Sequence, residues 1–417
     1  MDKPTRTRED FYKEAREDMS GPLEGVRVLD ITTTWAGPRC GSVLADLGAD
    51  VVRIELAASP DISRFLPPTI PGTDPPDGHL HAEANKNKRS ICLDLRKEDG
   101  LAVFKKLVTK TDIVVENFKR GTLASYGCGY EDCRKIKPDI IYVSVTGFGQ
   151  FGPYSNRPGY DPAAQAYSGF MWMNAHNEND EPLRAPIYLA DELTGLHGGI
   201  GALGALRHRD RTGEGQHVDC SLLDSIINSS TGFNAMAAGG VKLPRIGNPF
   251  IFAAPTGIFK CTDGYVYAGV LLDNHWKIMC EMMGRPELAE DPNYATFQER
   301  IKRRAEVDAV LNDWCATRTR AEVVEACEKA QIAVASVNTM EEAVADPHVQ
   351  YREAITAVPH QSGNEIKLTN PAIKYSRTPI RVRNPAPMLG QHTDEVLEEA
   401  GISEEERDAL RKNGIIL

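Results

Sequence analysis

The chain has no uninterrupted apolar run of about 18 residues, so the sequence predicts no membrane-spanning helix. Its opening stretch, Met1 to Met19, is highly charged and lacks the apolar centre of a secretory leader. Cationic charge is outnumbered: 48 Lys and Arg face 59 Asp and Glu, a net charge of −11. That balance argues against nucleic acid or an anionic membrane as the main partner, because the field of the whole molecule repels both. Nine cysteines, an odd number scattered from Cys40 to Cys327, form no disulfide framework and fit a reduced, cytoplasmic protein. The one close pair, Cys128 and Cys133, has no His or Cys beside it at zinc spacing, so no metal site is expected. The ten histidines include no H-E-x-x-H pair, and no G-x-S-x-G elbow occurs. Zinc and serine hydrolase chemistry therefore lack their residues.

What is present is the composition of a globular protein: 41% hydrophobic and 26% charged residues over 417 positions, enough for two or three domains. Residues 26–31 read as a short buried strand, 37–47 as a helix with Pro38 in its first turn, and 49–55 as the next strand. A strand–helix–strand unit of this length is the mark of a parallel sheet. Strands at 90–95, 113–116 and 140–145, with helices at 97–110 and near 130–136, extend the alternation. The expected fold is an open, doubly wound, Rossmann-like α/β domain. A Pro-, Asp- and Gly-rich loop fills 57–78. A helix over 191–208, a strand at 217–221 and one long helix over 222–238 follow. The expected organisation is an extension (1–20), a large α/β domain (21–221), a linker helix (222–244), a small α+β domain (245–340) and a C-terminal segment (341–417) returning to the large domain.

Asp191 and Glu192 form an acidic pair between a hydrophobic run (Ile187, Tyr188, Leu189) and a helix rich in Gly and Ala. A carboxylate there can cap the helix, where the first amides are unpaired. Facing a cleft, it can instead attack an acyl group and hold it covalently. Gly199, Gly201 and Gly204 spell the dinucleotide fingerprint, but they fall inside a helix rather than in a strand-to-helix turn. Close backbone packing is the expectation for them, and neither nicotinamide nor flavin is indicated. Two basic clusters flank predicted strands: Lys86, Lys88 and Arg89 with Asn85 and Asn87, and Asn117, Phe118, Lys119 and Arg120. The second lies beyond the carboxyl end of its strand, where ligands bind in open α/β sheets, and could meet phosphates. Either cluster could equally be a solvated turn.

Several motifs in fixed order carry a resemblance: Leu29-Asp30, Ala36-Gly37-Pro38, Asn87-Lys88-Arg89-Ser90, Val115-Glu116-Asn117-Phe118, Gly147-Phe148-Gly149, Ala190-Asp191 with Thr194-Gly195, and Leu389-Gly390-Gln391-His392. From about residue 21 to the end the chain resembles the class III CoA-transferase (CaiB/BaiF) family. The resemblance implies an open α/β large domain, a smaller second domain and an interlocked homodimer. It implies exchange of CoA between an acyl-CoA and small carboxylic acids, with acyl-CoA as substrate and no tightly bound cofactor. The carboxylate nucleophile falls on Asp191. CoA contacts fall near Thr34 and Trp35, Leu93 to Arg96, and Asn117 to Lys119, with Lys88, Arg89 and Arg120 as further basic candidates. The substrate pocket falls near Tyr160, Asp161, Gly247 and Asn248. Two departures stand out: the glycine-run loop of the formyl-CoA branch has no counterpart at Arg245-Ile246-Gly247-Asn248-Pro249, and an arginine of that branch aligns with Ser125. The α-methylacyl-CoA racemases, which share the fold, place a His where Tyr160 stands. Tyrosine suits neither partner of a neutral-pH acid–base pair, which favours the transferase. A CoA-binding subunit of a heteromeric transferase is the remaining alternative.

Overall fold

A computed structural model describes residues 6–73 and 77–417; residues 1–5 of the extension and 74–76 of the 57–78 loop lie outside it. Within 57–78, Asp61 caps a single 3-10 turn, Ile62–Arg64.

The chain divides into two compact units, one made of 1–170, 185–234 and 348–417, the other of 171–184 and 235–347. Residues 171–184, expected within 21–221, thus belong to the smaller unit, and the changeover falls inside the expected connector.

The larger unit is built on six parallel strands: β1 (Arg27–Ile31), β2 (Asp50–Glu55), β3 (Arg89–Cys92), β4 (Ile113–Glu116), β5 (Ile141–Thr146) and β6 (His217–Ser221). Their order is β3-β2-β1-β4-β5-β6, so the winding direction reverses between β1 and β4. Alternate side chains feed two cores, as a sheet covered on both faces requires. Leu29, Val114 and Tyr142 join Val103, Phe104 and Leu107 of the helix Glu98–Val108 on one face. Val28, Val115 and Val143 join Leu44, Ala202 and Leu206 on the other. Val396, Leu397, Ile402 and Ile415 pack into the first of these cores.

The smaller unit holds an antiparallel sheet of β7 (Thr256–Cys261), β8 (Gly264–Gly269) and β9 (Ala333–Ser336), packed against Trp276, Leu311 and Cys327. A further hairpin, β10 (Ile355–Pro359) with β11 (Glu365–Thr369), belongs to the larger unit. No helix among the described residues is long and apolar enough to cross a membrane.

The helix expected over 222–238 is two helices, Leu222–Asn228 and Phe233–Ala238. Thr231 (φ 54°) and Gly232 (φ 80°) adopt left-handed backbone between them. Short polar side chains at Ser229, Ser230 and Thr231 offer the backbone local hydrogen bonds in place of helical ones.

The helix Leu189–Thr212 packs closely on the helix Ala36–Asp46, and glycine permits the approach. A Cβ on Gly195 would stand 2.5 Å from Arg39 Cγ, on Gly198 2.9 Å from Cys40 Sγ, and on Gly199 2.9 Å from Val43 Cγ1. On Gly201 it would stand 2.7 Å from Val218 Cγ1 of β6, whereas on Gly204 it meets nothing within 4 Å. Of the fingerprint-like glycines, Gly199 and Gly201 therefore serve packing, and Gly204 does not. Gly199→Val and Gly201→Val should each lower stability by about 1–3 kcal/mol through overpacking. Gly204→Ala should raise it by up to about 1 kcal/mol through helix propensity. Urea unfolding of the three variants checks this; equal effects at all three positions would contradict the packing account.

Candidate active site

Asp191 lies in the first turn of the helix Leu189–Thr212, whose N-cap residue, Tyr188, provides no side-chain cap. The cap comes from elsewhere: Asp161 Oδ1 accepts the amides of Ala190 (2.6 Å) and Asp191 (3.3 Å). Gln165, one turn along the helix Asp161–Tyr167, donates Nε2 to Asp161 Oδ2 at 2.6 Å and accepts the amide of Ala185 at 2.9 Å. Asp191 therefore does not cap its own helix. Among the described residues no donor or cation holds its carboxyl group. Burial pushes that group up to about 7, and the neighbouring Asp161 and Glu192 push the same way.

Glu192 is held by two residues of the β1 side: Trp35 Nε1 donates to Oε1 and Arg39 Nε to Oε2, each at 2.9 Å. The Trp35 ring lies 5.9 Å from that of Tyr188. Thr34, just before it, is held at φ 71°, a costly backbone for a β-branched residue. Its amide donates to Asp61 Oδ2 at 2.9 Å. Asn117 clasps the neighbouring Thr33 from across the sheet, accepting its amide at 2.9 Å and donating to its carbonyl at 2.8 Å. The turn after β1 is thus fixed from the loops after β2 and β4, beside the topological switch point.

A cleft of about 410 Å³ opens beyond the carboxyl ends of β1 to β4. Thr32, Asp61, Leu93, Arg96, Phe118 and Tyr126 are among its walls. Its floor is charged but internally neutralised. Arg53 pairs with Asp61 and with Glu55 (3.3 Å) and donates to Asn85 (2.6 Å). Arg64 forks onto Glu55 at 2.6 and 3.1 Å. Although Glu55 is buried, these guanidinium groups hold it well below the usual carboxylate range.

Of the expected CoA contacts, Leu93, Arg96 and Phe118 line this cleft, Asn117 and Thr34 bond its wall residues Thr33 and Asp61, and Trp35 turns to Glu192 instead. Lys119 is exposed, while Arg120 is occupied by the Gln150 carbonyl (3.1 Å) and Asn156 (3.3 Å). Lys88 and Arg89 are not available as contacts. Lys88 is completely buried, with Nζ on Asp30 (2.7 Å), the Pro38 carbonyl (2.8 Å) and Asn85 (3.0 Å). Arg89 begins β3, at the opposite end of the sheet from the cleft, and is taken by Asp50, Glu395 and Glu399. In the expected substrate pocket, Asp161 is buried as the helix cap and Tyr160 is 73% exposed beside it. Gly247 (φ 69°) and Asn248 belong to the smaller unit, where Gly247 lies against the His176 backbone.

Sequence reasoning missed Asp61, Gln165 and the role of Glu192. Gln165 carried a signal, its i,i+4 spacing from Asp161; Asp61, in a loop without periodicity, carried none.

The model of CoA-transferase family III matches residues 23–393. The chain is 35% identical over 384 residues to the succinate–glutarate CoA-transferase of Agrobacterium fabrum, covering 91% of this chain and 95% of that protein. It is 36% identical over 403 residues to the succinyl-CoA–L-malate CoA-transferase beta subunit of Chloroflexus aurantiacus, covering 95% and 98%. The crystal structure of a CAIB/BAIF family protein from Brucella suis matches with a TM-score of 0.81 at 31% identity, over 92% of this chain and all of that one. The chain belongs to CoA-transferase family III and is a CoA-transferase.

Proposed function

We propose that the enzyme passes CoA from a dicarboxylic acyl-CoA such as succinyl-CoA to a small carboxylic acid, with Asp191 as nucleophile. The observation that carries this reading is the free carboxyl of Asp191 at a helix start already capped by Asp161. An Asp191 oxygen attacks the thioester carbonyl; the C–S bond breaks and CoA leaves as thiolate, giving a mixed anhydride. The thiolate then attacks the aspartyl carbonyl and the donor acid departs as carboxylate, leaving an aspartyl-CoA thioester. The acceptor carboxylate attacks that thioester, and the released thiolate takes the acceptor's acyl group from the second anhydride. No net proton is consumed. The choice of a dicarboxylate rests on the names of the relatives, which include succinate and glutarate. No observation favours racemisation, since Tyr160 is exposed and offers no neutral-pH base.

Asp191→Asn should lower transfer by at least about 1,000-fold, as removal of a nucleophile does. Borohydride trapping during turnover should place the adduct on the peptide containing residue 191. A modified peptide elsewhere, or full activity in the variant, would refute the assignment.

The raised Asp191 carboxyl also sets two pH effects. Activity per free enzyme should rise with pH through about 7, as the nucleophile ionises. Stability runs the other way: between pH 3.8 and about 7 the unfolded chain releases a proton that the folded one keeps, so ionised Asp191 destabilises the fold above that window. Asp191→Asn should therefore be more stable than the parent at pH 8, by up to about 1.4 kcal/mol for each pH unit separating the two values. The gain should vanish below pH 4. Thermal unfolding at pH 4 and pH 8 gives the comparison.

The interlocked homodimer belongs to the same proposal. Phe151 (80% exposed), Ile187 (54%) and Ile200 (64%) leave apolar surface uncovered on the larger unit, which suits burial against a second copy. Light scattering on the eluted protein should give a dimer mass; a monomer at micromolar concentration would refute it.

A further inference from the structure

Glu116 ends β4 and is buried, yet no lysine or arginine among the described residues neutralises it. Its Oε2 accepts the amide of Phe118, a wall of the cleft, at 2.9 Å. Across the sheet it pairs in register with Ser144 of β5, whose hydroxyl favours its ionised form. Ser144 Oγ in turn lies 2.9 Å from His217 Nε2 on β6. His217 stacks on Tyr130 (5.0 Å, 27°) and meets Tyr142 edge-on (5.5 Å). The remaining charges facing this row are Asp219, which lies opposite Ser144, and Glu131 near His217. On the other side β1 presents only apolar Ile31 opposite Glu116.

We propose that Glu116 is a positioning residue of the CoA cleft, whose carboxylate, linked through Ser144 to His217, holds the Phe118 amide and so sets the wall against which CoA lies. The inference rests on reading this cleft as the CoA site. A serine hydroxyl has one hydrogen, which gives the chain two directions. With Glu116 ionised, Ser144 donates to the carboxylate and accepts from the Nε2–H tautomer of His217. With Glu116 protonated, the carboxyl donates to Ser144, Ser144 donates to a bare Nε2, and His217 carries its proton on Nδ1. The first state grips Phe118 with a charge-assisted bond, the second with a weaker neutral one. Burial pushes the Glu116 carboxyl up to about 7, with Asp219 adding to the effect against the bonds from Ser144 and Phe118. Burial also lowers His217, which keeps its imidazole neutral near pH 7. Both states are therefore reached between pH 6 and pH 8.

Calorimetric binding of coenzyme A at pH 6 and pH 8 tests the assignment, measured in the Asp191→Asn protein so that the nucleophile's own titration is silent. Adding Glu116→Gln should weaken binding at pH 8 by about 3- to 10-fold, the effect of exchanging a charge-assisted for a neutral hydrogen bond. It should also remove most of the parent's loss of affinity between pH 8 and pH 6. Titration of the CoA phosphates is common to both proteins and cancels in the comparison. Equal affinities and equal pH slopes would overturn the role of Glu116. Absence of coenzyme A binding by the unsubstituted protein at either pH would instead overturn the cleft reading beneath it. Should Glu116→Gln fail to fold, nitrogen-15 NMR of His217 in the unsubstituted protein decides: a change from Nε2–H at pH 8 to Nδ1–H at pH 6 is expected, and one tautomer throughout would overturn the relay.

Discussion

The contact on which the site depends is the close approach of the helices Leu189–Thr212 and Ala36–Asp46. Gly195, Gly198 and Gly199 let the two backbones meet where any larger residue would strike Arg39, Cys40 or Val43. Because the second helix starts directly after the turn of β1, this packing fixes Asp191 and Glu192 relative to Thr33, Thr34 and Trp35. The hydrogen bonds from Trp35 and Arg39 to Glu192 are then short-range consequences of the helix contact. Glycine carries a cost of about 1 kcal/mol per helical position relative to alanine. Three glycines within five residues of one helix are tolerated because the sheet-facing core holds it along its length.

A second division of labour follows at the helix start. A carboxylate there can satisfy backbone amides or remain free for chemistry, and one group does each badly if asked to do both. Asp161 takes the amides and is itself held by Gln165, so both of its oxygens are engaged. Asp191 is left with neighbours of like charge and little solvent, which raises its proton affinity and weakens its hydration. Weaker hydration leaves its oxygens less encumbered, once ionised, than a capping aspartate's would be, while the raised proton affinity keeps a share of the groups protonated at neutral pH.

How far this was legible in the sequence depends on what each feature rests on. The strands were legible because buried parallel strands are short β-branched runs, and Val51-Val52 or Ile113-Val114-Val115 cannot easily be anything else. The packing role of Gly199 and Gly201 was legible because a fingerprint inside a helix contradicts its own geometry. Lys88 and Arg89 turn to internal partners that charge alone cannot reveal: Asp30, Asp50, Glu395 and Glu399 lie 39 to 310 positions away in sequence. The break at Thr231 and Gly232 was hidden by apolar spacing that suits a helix on either side. Asp161 was placed near the substrate pocket by the resemblance, and its hold on the second helix was hidden because that helix begins 28 residues later.

The distribution of charge explains how an acidic protein can offer a cleft to an anionic ligand without a conspicuous basic patch. Arg53, Arg64 and Lys88 are buried beneath the cleft, each matched by Asp30, Glu55 or Asp61. Such pairs contribute little net attraction to a ligand, and their desolvation offsets much of their mutual gain. Their effect is geometric: they tie the loop after β2 to the strand ends and to Thr34. A CoA molecule lying there would meet apolar walls from Leu93, Phe118 and Tyr126 and the cation of Arg96, with exposed Lys119 next to Phe118 in sequence. Arg96 is already shared with Asp94. If CoA lies there as proposed, the walls rather than a phosphate clamp carry the contact, and of those walls Phe118 has its amide held by the buried carboxylate of Glu116.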